Sequence, residues 1–428
     1  MTASAALKAA LRSPLLPFWL VVALLPFGRS AELGTILCTI GVLMLLVRHP
    51  GALREHAGAQ LLLWLLACYV GAALLSAFQS IAPGKSWTTV LALVRYAPLG
   101  LYACFAIRRC ERLHVLYMAV AVVIGLWALD AWMQMLTGWS LRGHAEEVRI
   151  SGIFGAENLK LGPALAVLSP FALWAAWQCW GWRGLAVAFL VLLGPVLLAG
   201  SRSAWLCYAL VALAFAWRAS TPRGFAVVCA VGAIVLALAG GVAWKTSERF
   251  DSRMQQTLAA FSGSEQGLDE ALTGRLDIWR VSTRMIAAHP LDGVGVRGFR
   301  YAYPQYAPAN DHFVVAESCG EGEGACHAHQ IVLEILTETG VMGLLLWLVG
   351  VVLAWRAWCS VGAAARTRAF PVTVALGVML FPLNSHLAFY SAWWGLLFGW
   401  LLGLWCAALF VIPAESALDG ERTQGEQR

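Results

Sequence analysis

Cys319, Glu321, Glu323, Cys326, His327 and His329 crowd into the stretch "CGEGEGACHAH", residues 319–329. Side chains of these types can ligate a metal, close a disulfide, or supply an acid–base group beside a reaction. No zinc template fits. C-x2-C is absent, and His327-Ala-His329 is not the usual His-x3–5-His. The remaining choice depends on the compartment, which the surrounding elements set.

The chain has 428 residues, 60% hydrophobic and 13% charged, with a mean hydropathy of +0.70. Soluble domains carry about 25% charged residues, so this composition predicts an all-α polytopic membrane protein. The 21 tryptophans suit interfacial anchoring. About twelve apolar runs approach the ~20 residues that cross a bilayer as helix: 14–28, 32–48, 60–79, 88–107, 113–136, 159–178, 184–199, 203–217, 224–243, 328–355, 369–389 and 391–411. No cleavable leader is expected, because Met1–Ser13 runs directly into repeated spans.

With the N-terminus inside, the short inner segments hold Lys8, Arg12, Arg48, Arg54, Arg108, Arg109, Arg112, Arg183, Arg218, Arg223, Arg356, Arg366 and Arg368. The acidic residues there are Glu55 and Glu111, a strong positive-inside bias. The expected organisation is spans one to nine over 1–243, an outer helical insert over 244–327, spans ten to twelve over 328–412, and a disordered cytoplasmic tail over 413–428.

That orientation puts the opening stretch outside the cytoplasm, an oxidising compartment in bacteria. Of the 11 cysteines, only Cys319 and Cys326 lie in the insert. Their short Gly-rich spacing allows the ~4.4–6.8 Å Cα separation of a disulfide. A disulfide leads; free thiols and a metal site are the alternatives.

Within the insert, residues 246–262 read as an amphipathic helix and 263–270 as a break. In the stretch 272–299 a second helix is expected, N-capped by Thr273, with Leu276, Trp279, Thr283, Ile286 and Ala287 at helical spacing. Asp277, Arg280 and Arg284 share another face, and His289-Pro290 ends the helix. The glycines of 293–298 have no Walker lysine and predict a structural turn rather than a nucleotide cradle; nothing indicates a nucleic-acid partner.

Beyond it, His329, Leu333, Leu336, Gly340 and Gly343 fall on one helical stripe, with the two glycines admitting a close neighbour. His329 then sits at a helix start, where an imidazolium is disfavoured. A neutral imidazole there could act as general base or merely cap the helix.

Basic residues on the outer side need a reason. Arg202, in "LLAGSRSAWL", lies between two apolar runs, where a charge is expensive and usually functional. Arg149, Lys160, Arg275 and Arg280 lie on the same side. Arg95 is also within a span, with Asp130 as one candidate partner. Planar, permanently charged guanidinium suits phosphate, so a lipid-linked diphosphate would account for an outer arginine set. No Asp-x-Asp occurs in the outer segments, and fixed cations can stabilise such a leaving group without metal.

Four stretches together resemble the O-antigen ligase and O-antigen polymerase superfamily: "RISGIFGAENLKLG" (149–162), "AGSRSAWL" (199–206), "GRLDIWRVSTRMIAAHPLDGVGVRGF" (274–299) and "HAHQIVLEILTETGVMGLLLWL" (327–348). Gln330 stands where the family usually has Asn, and Glu157 where it often has Pro. The resemblance implies an inverting, metal-independent glycosyltransferase of the membrane-embedded C type, needing no cofactor. The donor would be undecaprenyl-diphosphate-linked O-antigen, and the site would face the periplasm from the bacterial inner membrane. Arg202 and Arg275 match the family's pyrophosphate-gripping arginines and His329 its essential histidine; Arg280, Arg149 and Lys160 are added by position. Chain length and span number favour a ligase acting on lipid A–core. A polymerase, a protein O-oligosaccharyltransferase and, from another class, a polyprenyl-glycan transporter remain alternatives.

Overall fold

A computed structural model describes residues 13–144, 149–156, 158–246, 248–258 and 274–412. The expected tail over 413–428, the break at 263–270 and the Thr273 cap lie outside the described residues. The chain is an all-α, multi-pass membrane protein. Among the described residues, eight helical stretches have the length and apolar composition to cross a bilayer. The α-helices longer than one turn are α1 (Leu16–Ala23), α2 (Glu32–Arg48), α3 (Ala57–Ala77), α4 (Pro83–Leu93), α5 (Tyr96–Ala106), α6 (Cys110–Thr137), α7 (Leu161–Leu198), α8 (Arg202–Ala219), α9 (Pro222–Thr246) and α10 (Glu248–Leu258). After them come α11 (Arg275–Ala288), α12 (Phe299–Tyr306), α13 (Ile331–Ser360), α14 (Ala363–Met379) and α15 (Ala392–Leu409).

The central crossing is α15 against α5. Gly395, Gly399 and Gly403 recur every fourth residue. A Cβ on the first two would strike the Tyr96 ring, and one on Gly403 would strike Gly100. Small residues at helical spacing let backbones approach, which is how helices associate where lipid offers no hydrophobic drive. Trp400 of α15 stacks on Phe18 at 4.9 Å and donates its indole N–H to the Phe18 carbonyl.

Two long helices are broken by glycine, and both breaks shape the end of the bundle that carries the cationic residues. As one rod, α7 would span about 57 Å at ~1.5 Å per residue, nearly twice a bilayer core. Gly181, with φ +62° and ψ −148°, instead doubles it back. A Cβ on Gly162 would touch Ala199, so the beginning and end of α7 meet. Residues 149–160 and the start of α8 therefore share one end of the bundle.

The second break is at Gly340 in α13, with φ +63° and ψ −167°. The free backbone groups there pair with the glycine loop before α12. Val294 and Gly295 N–H donate to the Thr337 and Glu338 carbonyls, and Val341 and Met342 N–H donate to Pro290 and Leu291. A buried break is tolerated where freed groups find partners such as these. Gly340 thus admits a loop rather than a helix; Gly343 faces Ala72 of α3, along which α13 packs.

Three expectations need correction. Arg95 pairs with Glu32 at 3.0 Å, not with Asp130, whose Oδ1 accepts from Leu141 N–H. The run 369–389 is not one helix: α14 stops at Met379 and residues 380–391 form a loop. In α11 the buried face is Ile278, Val281, Ser282 and Met285, one to two positions from the stripe expected. Ile278, Val281 and Met285 pack with Val294, Phe299, Tyr303 and Ala328, a neighbour set that the local periodicity does not reveal.

Candidate functional site

The cationic residues converge where the ends of α7 and α8 meet. Gly200 turns the chain with φ +71°, and its open side lies against the Arg149 side chain. Ile150 N–H donates to the Leu198 carbonyl at 3.3 Å, fastening the 149–160 segment to this corner. Ser201 caps α8 by accepting from Ala204 N–H, which places Arg202 in the first turn. The Arg202 guanidinium reaches Thr257 of α10 at 3.4 Å.

Arg275 opens α11 immediately after Gly274, a left-handed residue with φ 74°. Burial pushes its pKa down to about 10, and the nearby Arg202 cation adds to the shift. The two guanidiniums are close enough for their charges to interact, and guanidinium stays charged at neutral pH. Such a pair is the arrangement an anion would relieve.

His329 lies just outside α13. Gln330 is the cap, accepting from Leu333 N–H at 2.6 Å. His329 takes a left-handed backbone, φ 54°, uncommon for a residue with a Cβ, and this turns its ring toward the loop after α14. Its Nδ1 lies 2.8 Å from the Ser385 carbonyl oxygen. A carbonyl only accepts, so Nδ1 carries the proton and Nε2 keeps its lone pair. Burial drives the His329 pKa down to about 4; the Ser385 bond opposes this and the Arg275 cation adds to it. The group is a neutral acceptor beside an arginine.

Several supports hold this geometry. Trp279 of α11 donates its indole N–H to the Ala328 carbonyl at 3.1 Å. The His327 ring lies 3.9 Å from that of His329. Burial, with His329 next, holds the His327 pKa well below the usual imidazole range. Two buried carboxylates of α13 anchor the flanking loops. Glu334 accepts from Phe389 N–H, and Glu338 accepts from Arg297 N–H, both at 2.8 Å.

Cys319 and Cys326 are joined, with Cα atoms 5.2 Å apart. The ring they close presents Glu323 to Arg300 at 3.5 Å, just ahead of the histidines. Closing a ring of this size removes roughly 2–3 kcal/mol of unfolded-chain entropy. We therefore expect the double variant Cys319→Ser/Cys326→Ser to show a lower Tm and an altered non-reducing mobility. An unchanged Tm and mobility would mean that no bond forms in the protein.

Arg202, Arg275, Arg149 and His329 are thus brought together, with Lys160 at the rim. Arg280 is not. It sits five residues past Arg275, on another face of α11, and pairs with Asp277 at 3.0 Å where both side chains are half exposed.

One residue of this site was missed in the sequence: His386. It follows Ser385 directly and feels Arg275, His329 and Arg149. With Asn158, Lys160 and Trp394 it lines a cavity of about 470 Å³. Burial is the main cause that lowers its pKa to about 3. Burial also lowers the pKa of Lys160.

Residues 185–348 match the family described as O-Antigen ligase. The matched region contains the motifs at 199–206, 274–299 and 327–348, including Arg202, Arg275 and His329; the motif at 149–162 lies ahead of it. The recognition drawn from those motifs is borne out over this region. No curated protein matches the chain.

Proposed function

Taking that O-antigen ligase-type region as the premise, we propose that this protein is a ligase of lipopolysaccharide assembly. It transfers glycan from undecaprenyl diphosphate to a sugar hydroxyl of lipid A–core. The site faces the periplasm, the termini are cytoplasmic, and about twelve spans build a glycosyltransferase C-like bundle in the inner membrane. The observation that carries the reading is two arginines within electrostatic reach of each other, beside a histidine whose tautomer is fixed by the Ser385 carbonyl.

In this mechanism Arg202 and Arg275, with Arg149 beside them, hold the two phosphates. The acceptor hydroxyl approaches the anomeric carbon from the face opposite the diphosphate. His329 Nε2 takes its proton as the new C–O bond forms. The bond from anomeric carbon to phosphate oxygen breaks, the diphosphate leaves with the electron pair, and the configuration inverts. Arginine charge stabilises the leaving group where it develops, and protein dipoles replace water around it.

Protonation of His329 removes the lone pair the reaction uses. Its depressed pKa leaves the free base dominant at neutral pH. In kcat/KM, which reports the free enzyme, we expect a flat profile from roughly pH 6 to 8 and a fall only toward pH ~4–5. A limb near pH ~6.5, the ordinary histidine value, would mean that another group or another environment governs the rate.

The reading is tested with purified protein in nanodiscs, which have no inside and outside to transport between. Glycan transfer from lipid-linked donor should proceed there, and an excess of EDTA should leave the rate unchanged. Strong inhibition by EDTA would restore a metal role. Absence of transfer, with the donor intact, would favour a carrier.

A further inference from the structure

The cavity beside the arginines has a different character from the arginine cluster itself. Its lining residues include Asn158, Lys160, His386 and Trp394, and none of the three arginines. At about 470 Å³ it falls in the range of small-molecule sites. Its polar groups are unequal. Asn158 is committed to its own turn, accepting from Lys160 N–H and donating to the Phe154 carbonyl. The Lys160 ammonium lies 5.5 Å over the Trp393 ring. Among the described residues, His386 has no hydrogen-bond partner at either ring nitrogen.

We propose that this cavity receives the first sugar of the lipid-linked glycan, with His386 as the side chain that hydrogen-bonds its hydroxyls. The proposal rests on the ligase reading and deepens it. A neutral imidazole offers one donor and one acceptor, which matches sugar hydroxyls. A phosphate bearing only acceptor oxygens would leave the second nitrogen unused. The indole of Trp394 supplies an apolar wall, and sites of this kind combine such walls with a few placed polar groups. Position agrees as well. His386 is next to Ser385, whose carbonyl holds His329, and it is within electrostatic reach of Arg149 and Arg275. A sugar here would place its anomeric carbon between the phosphate-binding arginines and the base.

The test uses nanodiscs and two probes, undecaprenyl diphosphate and the same lipid bearing one sugar. Removing the two hydrogen bonds in His386→Ala should weaken binding of the sugar-bearing probe about tenfold, with less than about a twofold change for the bare diphosphate. His386→Gln, which keeps a donor and an acceptor, should restore part of the loss. Arg202→Ala should weaken both probes. Equal loss of both probes in His386→Ala, or loss of neither, would overturn the sugar assignment while leaving the ligase reading in place. Unchanged binding of both probes in Arg202→Ala would instead strike at the phosphate-binding reading beneath it. An unchanged Tm reports that each variant is folded.

Discussion

His329→Ala is expected to lower kcat by at least about 10²-fold, with donor binding changed little, because positioned proton transfer contributes roughly 10²–10⁴-fold. The variant removes an imidazole whose lone pair is fixed in place. Its Nδ1–H is committed to the Ser385 carbonyl, and its neutral form is secured by burial and by Arg275. The neighbouring His327 is a control. Its ring lies 3.9 Å from that of His329, tilted by 43°, so His327→Ala should disturb ring packing and cost less than the loss of the base. A near-normal rate of transfer to lipid A–core by His329→Ala would remove the base from the mechanism. Transfer by His327→Ala falling as far as that of His329→Ala would make the pair, not one ring, the unit.

Arg275→Ala is expected to cost about 10²–10³-fold in kcat/KM, the range seen when one preorganised charge-stabilising donor is lost. Arg275→Lys should recover only part of this. An ammonium keeps the charge but loses the planar fork that grips two phosphate oxygens at once. The same geometry has a second readout. Arg275 feels the like charge of Arg202, and burial and this neighbour push it down to about 10. Inorganic diphosphate should relieve that repulsion and raise the Tm by mass action. The rise should vanish in Arg275→Ala. An equal rise in wild type and variant would place the anion elsewhere, and full activity of Arg275→Lys would show that point charge alone suffices.

Much of this site is legible in the sequence because its charges are out of place. Arg202 between two apolar runs and Arg275 in an outer segment need a partner whatever the fold. The order of the motifs assigns them one. The hairpin in α7 is also foreshadowed, since 159–178 and 184–199 read as separate spans flanking Gly181. What brings Arg149 to Arg202 is the meeting of Gly162 with Ala199, a contact that periodicity alone does not specify.

His386 is hidden for a physical reason. "FPLNSHLAFY" (381–390) is apolar enough to prolong a span, yet it is a loop, exposed at Pro382 and Leu383 and mostly buried from Asn384 on. Glu334 holds its Phe389 N–H, Tyr69 donates its hydroxyl to the Phe389 carbonyl at 2.7 Å, and the Asn384 amide donates to the Met379 carbonyl. Irregular backbone is stable at this depth only with such partners. Hydropathy does not separate it from a lipid-crossing helix. Two buried glutamates within α13 were the available signal, since a carboxylate inside a span marks a function or an anchor. The Gly340 break is hidden similarly: the glycine fits a helix seam as well as it fits the loop that crosses there.

The most direct measurement offers the purified protein one lipid-linked glycan donor and two acceptors together, lipid A–core and a second lipid-linked repeat. The ligase account expects glycan on lipid A–core, inverted at the transferred linkage, and lost in His329→Ala. Growth of the lipid-linked glycan with lipid A–core untouched would contradict it and make the protein a polymerase.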